Sequence, residues 1–302
     1  MKKINVGGQA VIEGVMIRGP KKYTVACRKQ NGKIILKTGK IPTKKNKLLN
    51  APFVRGFVNL MDMMIIGIKS LMWSAEQQSE GDEKLGKNEV MWTMLFSFAM
   101  VVLFFIALPY FLTNLMGFHE ETKPVLFNLI DGIIRIGFFV LYILGISFMK
   151  DVKVLFQYHG AEHMTIHCYE HGLELEKKNV RKFQTLHPRC GTSFILLVFL
   201  VSILVFSILP SLIMQFNPDF MEMNAWARKG ILFPVRILLL PVIAGISYEI
   251  LKITDKKKGN LIFRLISLPG LGLQRITTQK PTDRQIEVAI FSLKSLLKIE
   301  GK

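Results

Sequence analysis

Four apolar stretches, at 90–113, 125–149, 192–216 and 231–251, decide most of what this chain can become. Each is long enough for an α-helix to cross a hydrocarbon core about 30 Å thick, which takes roughly 20 residues. Inside such a core only helices and closed barrels satisfy their own backbone hydrogen bonds. The sequence therefore predicts an α-helical integral membrane protein with four transmembrane helices. The rest of the composition agrees: the chain is 50% hydrophobic yet carries a formal charge of +18, so apolar and basic runs are segregated rather than mixed as in a soluble globule. Seventeen lysines and arginines precede the first stretch, seven lie between the second and third and 11 follow the fourth, against one and two in the other connections. The positive-inside rule then puts both termini, and the segment joining the second and third helices, in the cytosol.

Two charges fall inside the second stretch, Asp131 and Arg135, at the i, i+4 spacing that lets them pair and face the bundle interior. Arg236 and Glu249 lie nearer the ends of the fourth, where long side chains reach for the interface. The three cysteines, Cys27, Cys168 and Cys190, form no even, regularly spaced set. Reduced thiols facing a cytosol are expected, not a disulfide framework. Gly7, Gly8, Gln9 and Glu13 interrupt any signal-peptide core behind the basic N-terminus.

Outside the spans, residues 6–16 are glycine-punctuated and β-branched, which predicts a strand or a glycine-bent pair of strands. Asn31-Gly32 between two apolar runs is a hairpin signal, so a small basic cytosolic β-unit opens the protein. Lys37, Lys40, Lys44, Lys45 and Lys47 follow in a polar linker suited to an anionic surface. Residues 48–73 are apolar but carry Arg55, Asp62 and Lys69, and read as an amphipathic helix on the membrane or against the bundle. Residues 261–273, with Pro269, Gly270 and Gly272, read as an interfacial loop or re-entrant piece. Thr282 and Gln285 make a capping box ahead of an apolar stripe at Ile286, Ala289, Ile290, Leu293 and Leu297. The expected division is a β-unit and linker at 1–47, an interfacial helix and linker at 48–89, two spans at 90–149, a His/Cys-rich cytosolic segment at 150–193, two spans at 194–251 and a C-terminal cytosolic segment at 252–302.

The segment at 150–193 holds five of the six histidines, His159, His163, His167, His171 and His187, with Cys168 and Cys190. The first four recur every fourth residue, which stacks them along one helix face. His159-Gly160-Ala161-Glu162-His163 reads H-x-x-E-H, in which two histidines one turn apart hold a metal and the carboxylate, here Glu162, serves as general base. His167 lies about 12 Å along the axis from His159, too far to share one ion with the pair. His187 or Cys190 completes the set, because Pro188 and Gly191 impose a tight turn able to fold back onto the helix. Imidazole and thiolate favour Zn²⁺ or a similar divalent ion. An i, i+4 histidine ladder also fits a solvated helix face.

Residues 7–16 with Arg18-Gly19-Pro20, Tyr158-His159-Gly160-Ala161-Glu162-His163, Leu186 to Phe194 and Pro269 to Gln274 together resemble the bacterial YqhQ family. Met164 departs from that pattern, where a lysine is expected. The resemblance covers nearly the whole chain. It implies a multi-pass protein of the bacterial cytoplasmic membrane, described as a metal-dependent enzyme, and it carries over no established catalytic residue. Two functions are expected from different classes. One is a membrane-embedded metal-dependent enzyme, hydrolytic in type, acting at the cytosolic surface of the lipid bilayer. The other is a non-enzymatic factor whose basic cytosolic face docks on a ribosome, a translocon or anionic lipid head groups, any metal being structural.

Overall fold

The computed structural model describes residues 3–42, 48–78, 87–120, 122–256 and 260–301. Strands β1 (Gly7–Val11), β2 (Gly14–Arg18), β3 (Lys22–Arg28) and β4 (Ile34–Lys40) form an antiparallel meander in chain order. The glycine-punctuated opening is thus a true pair of strands: Val11 pairs with Gly14, and Glu13 turns the chain at φ 49°. Gly32 takes φ 83° at the β3–β4 turn, where the Asn-Gly signal lies. Lys37 and Lys40 belong to β4 and not to a linker; Lys44, Lys45 and Lys47 lie outside the described residues.

Alternation along the strands builds two cores. Val15, Ile17 and Ala26 face helices α5 and α10, whose ranges follow, while Val11, Met16 and Val25 face the opposite way onto Met63, Ile66 and Trp73 of α1 (Val54–Glu76). Next come α2 (Lys87–Val102) and α3 (Leu108–Leu115), joined into one rod by a π-helical turn at Leu103–Ala107. That turn sits just ahead of Pro109, whose ring and missing N–H disturb the α-helical ladder. Then follow α4 (Pro124–Ile146), α5 (Lys150–Glu170), the short α6 (Lys177–Val180), α7 (Gly191–Phe216), α8 (Ala225–Lys256), α9 (Leu261–Thr277) and α10 (Asp283–Ile299). The expected capping box at Thr282 and Gln285 is formed, and α10 lays its apolar stripe onto the sheet and α5.

Three expectations change. Five helices, not four, are long and apolar enough to cross a membrane: Val54–Glu76, Met91–Leu115, Pro124–Ile146, Gly191–Phe216 and Trp226–Thr254. Residues 261–273 form no loop; they run inside α9 through Pro269. The ladder bond that proline removes is compensated by packing, since Gly270 presses against α7 where a Cβ would come 2.6 Å from Ser193. Arg236 and Glu249, expected to extend toward the interface, are each held by a neighbouring helix. Arg55 of α1 grips Glu249 with two bonds of 2.6 Å, and Arg236 donates to Asn128 of α4 at 2.9 Å. Each charge thus has a partner on a neighbouring helix. Asp131 and Arg135 pair as expected, at 2.7 Å.

Leu293 is fully buried where α10 meets the sheet. Leu293→Ala is expected to lower stability by about 2–5 kcal/mol, and Thr282→Ala by about 0.5–2 kcal/mol through loss of the cap. Denaturant titration of the purified protein, followed by circular dichroism, checks both size and order.

Candidate metal centre

Helix α5 starts only four residues after α4 ends, and it is not amphipathic in the ordinary sense. Residues Gly160–Ile166 are buried all round. One side meets the sheet and α10; the other meets the loop at 183–190 and the strand-like segment after α9. A helix so enclosed must find partners for every polar side chain it carries. Its histidines find theirs in backbone carbonyls. His159 Nδ1 lies 2.8 Å from the carbonyl of Thr277, and His163 Nδ1 makes a short bond to the carbonyl of Thr185.

A carbonyl only accepts, so both Nδ1 atoms carry the proton and both Nε2 atoms keep a lone pair. Those lone pairs converge on one sulfur. Cys190 Sγ stands 3.2 Å from His159 Nε2, and the His163 ligand nitrogen lies beside the same sulfur. The three ligand atoms lie within 4.8 Å of one another. Cys190 is the N-cap of α7, where its sulfur accepts from the Thr192 N–H at 3.4 Å and meets the Thr192 hydroxyl at 3.1 Å. Burial opposes the thiolate, but the bonds from His163 and Thr192 outweigh it and hold the thiol below its ordinary value.

Glu162 is buried beside this trio. Burial pushes its carboxyl up to about 8, with His159 pulling it down, Cys190 pushing it up and the Gly8 N–H lowering it. Its Oε2 has no hydrogen-bond partner among the described residues. An orphaned carboxylate oxygen in a closed interior is costly unless something else engages it.

The predicted set therefore comes together in part. His159, His163 and Cys190 form one group, with Glu162 at its side. His187 belongs to a second group with His167 and Glu170. The members of that second group are hydrogen-bonded to one another and to the neighbouring backbone. Arg189 N–H donates to His187 Nδ1 at 3.2 Å, which leaves His187 Nε2 to carry its proton toward Glu170 Oε2 at 3.3 Å. His167 Nε2 donates to the carbonyl of Leu186 at 2.8 Å, and the Arg189 guanidinium pairs with Glu170. His171 is exposed and bonds only to the His167 carbonyl, at 2.8 Å, among the described residues.

Two positions escaped the sequence reading. Gln274, fully buried in α9, clamps the ligand turn: its Oε1 accepts from His187 N–H at 2.8 Å, and its Nε2 donates to the His187 carbonyl at 2.9 Å and to Ser193 Oγ at 2.6 Å. A polar residue in an otherwise apolar helix was the available signal. Gly160 permits the Thr277 contact, because a Cβ there would fall 2.1 Å from the carbonyl oxygen of Gln279.

A family profile described as "Protein of unknown function (DUF1385)" matches residues 51–299. The "Uncharacterized protein YqhQ" of Bacillus subtilis (strain 168) is 35% identical over 98% of this chain and 93% of its own length. No solved structure matches the chain.

Replacing Gln274 with leucine strands the buried His187 N–H, at about 1–3 kcal/mol, and leaves the His187 carbonyl with the Cys190 N–H alone. Gln274→Leu is expected to loosen the turn and expose the buried Cys190 sulfur. Maleimide labelling read by peptide mass spectrometry should show Cys190 modified faster than in wild type, with Cys27 and Cys168 unchanged; equal rates at Cys190 would refute the clamp.

Proposed function

The chain belongs to the DUF1385 family of proteins of unknown function, and on that footing we propose that it is a membrane-integral, metal-dependent hydrolase whose centre is His159, His163 and Cys190. The observation that carries this reading is the number of donors. Three converge with their lone pairs free, whereas structural zinc sites close with four; three protein ligands and an open position mark catalytic sites. The buried Glu162 beside them, whose Oε2 has no hydrogen-bond partner among the described residues, is the second half of a hydrolytic pair. A divalent ion of the zinc class, when bound, supplies Lewis acidity to a carbonyl or phosphoryl oxygen and acidifies a water.

With such an ion held by His159, His163 and Cys190, Glu162 Oε2 would be the group to take a proton from the attacking water and to return it to the leaving atom as the acyl or phosphoryl bond breaks. A carboxyl raised to about 8 by burial is matched to that exchange near neutral pH. The carbonyls of Thr185 and Thr277 hold the two imidazoles in the ligating tautomer, as partners behind a metal's ligands do.

What supports four crossings and not five is parity. The sheet before α1 packs on α5, so the helices between them must cross an even number of times. The α2–α3 rod and α4 supply two crossings, and α1 then stays on the side of the sheet, against its second face and α8. The basic residues that flank the spans put that side, both termini and the metal centre in the cytosol, at the surface of the bacterial cytoplasmic membrane. The substrates in reach are lipids or membrane-anchored chains. The same basic face supports the second reading, docking on a ribosome, a translocon or anionic lipid, which salt-sensitive co-sedimentation would detect.

Protein purified without chelator is expected to carry about one zinc-class ion per chain. His163→Ala and Cys190→Ala should lose it, and His187→Ala should retain it. Glu162→Gln should keep the ion while turnover of a phospholipid or acyl-ester substrate falls by roughly 10²–10⁴. A folded wild type free of metal, or an undiminished Glu162→Gln, would overturn the reading.

A further inference from the structure

A second polar site lies within the bundle, apart from the histidines. Helix α4 enters the bundle at Pro124 and reaches α5 only at its other end, and the charges in question sit between its third turn and its midpoint. Asp131 and Arg135 of α4 and Arg236 of α8 line a cavity of about 260 Å³ between α4, α7 and α8. One water needs only about 10–15 Å³ on that measure. The other walls are apolar, among them Val198, Phe199, Ile203 and Leu240.

The hydrogen-bonding of these charges is incomplete. Asp131 Oδ2 meets Arg135 at 2.7 Å, but Asp131 Oδ1 is buried and has no partner among the described residues. The Asp131 side chain is only 9% exposed. Arg236 donates to Asn128 at 2.9 Å and reaches Glu120 at 3.4 Å, yet its Nε is buried without a partner among the described residues. Its guanidinium also lies 5.5 Å over the Phe206 ring.

A purely structural ion pair in hydrocarbon would be expected to satisfy these atoms, since each orphan is costly there. Charge counts the same way. The cavity holds two guanidiniums against one carboxylate. Adding Glu120 and Lys229, which line the adjoining recess with Arg236, leaves the excess at one positive charge.

We infer that this cavity binds a monoanionic phosphate-bearing head group, its oxygens bridging Arg135 and Arg236 and its hydroxyl donating to Asp131 Oδ1. Guanidinium forks are suited to phosphate oxygens. The carboxylate oxygen selects a ligand that also carries a hydrogen-bond donor, and the apolar walls receive the first carbons of a tail. The site does not depend on the metal centre.

Native mass spectrometry of the full-length protein in neutral detergent, titrated with phosphatidylglycerol, phosphatidylcholine or inorganic phosphate, tests this. Wild type is expected to retain one phosphatidylglycerol above the nonspecific background and to prefer it over phosphatidylcholine, whose quaternary ammonium has no proton to donate. Arg135→Gln and Arg236→Gln should weaken retention at least tenfold, and Asp131→Asn should erase the preference. Inorganic phosphate that binds to wild type alone, with no lipid retained, would keep the site and assign it to a free phosphate. Equal lipid retention by wild type and folded glutamine variants, with no phosphate binding, would overturn it. Should those variants fail to fold, wild type crosslinked to a photoactivatable phosphatidylglycerol decides: adducts at 128–135 and 236–240 support the site, and adducts confined to 96–104 refute it.

Discussion

The arrangement depends on a buried polar helix. α5 begins at Lys150, just after the long apolar α4, and runs between the sheet, α10 and two loops, so its histidines cannot rely on water. Each imidazole that faces the loops gives its one proton to a backbone carbonyl: Thr277 for His159, Thr185 for His163, Leu186 for His167. That constraint decides the chemistry. Where Nδ1 is tied down, as in His159 and His163, Nε2 keeps the lone pair; where Nε2 is tied down, as in His167, Nδ1 keeps it.

The carbonyls in turn depend on elements far apart in sequence. Thr277 ends α9, and Thr185 lies in the loop before α7, so the centre forms only when α9 and α7 are docked on α5. Gln274 and Gly270 make that docking close, through Ser193 and His187. Cys190 then stands at the first turn of a long helix, where the dipole and the Thr192 N–H favour a thiolate. Membrane helix packing and ligand geometry are one problem here, because the bundle sets the position of the sulfur and the domain sets the nitrogens.

Much of this was legible in the sequence. Length and hydropathy gave the long apolar helices, Asn31-Gly32 the last hairpin, Thr282 and Gln285 the α10 cap, and H-x-x-E-H the pair His159 and His163. Cys190 was one of two candidates for the third donor, and the His187 turn does fold back. What local pattern could not supply was which of His187 and Cys190 faces the pair, since that turns on three-residue geometry fixed by Gln274. Nor could it supply the run of α9 through Pro269, or the partners of Arg236 and Glu249, which are tertiary facts that override propensity and position in a span. α1 was ambiguous because its apolar residues serve two surfaces, α8 at one end and the sheet at the other.

X-ray absorption spectroscopy at the metal edge of the loaded, purified protein tests the central claim most directly. The account predicts one sulfur at about 2.3 Å and two imidazole nitrogens at about 2.0–2.1 Å, with a light atom completing the shell. Cys190→Ser should erase the sulfur scattering, and His187→Ala should leave the spectrum unchanged. A shell of nitrogen and oxygen alone in wild type, or loss of a nitrogen in His187→Ala, would contradict it.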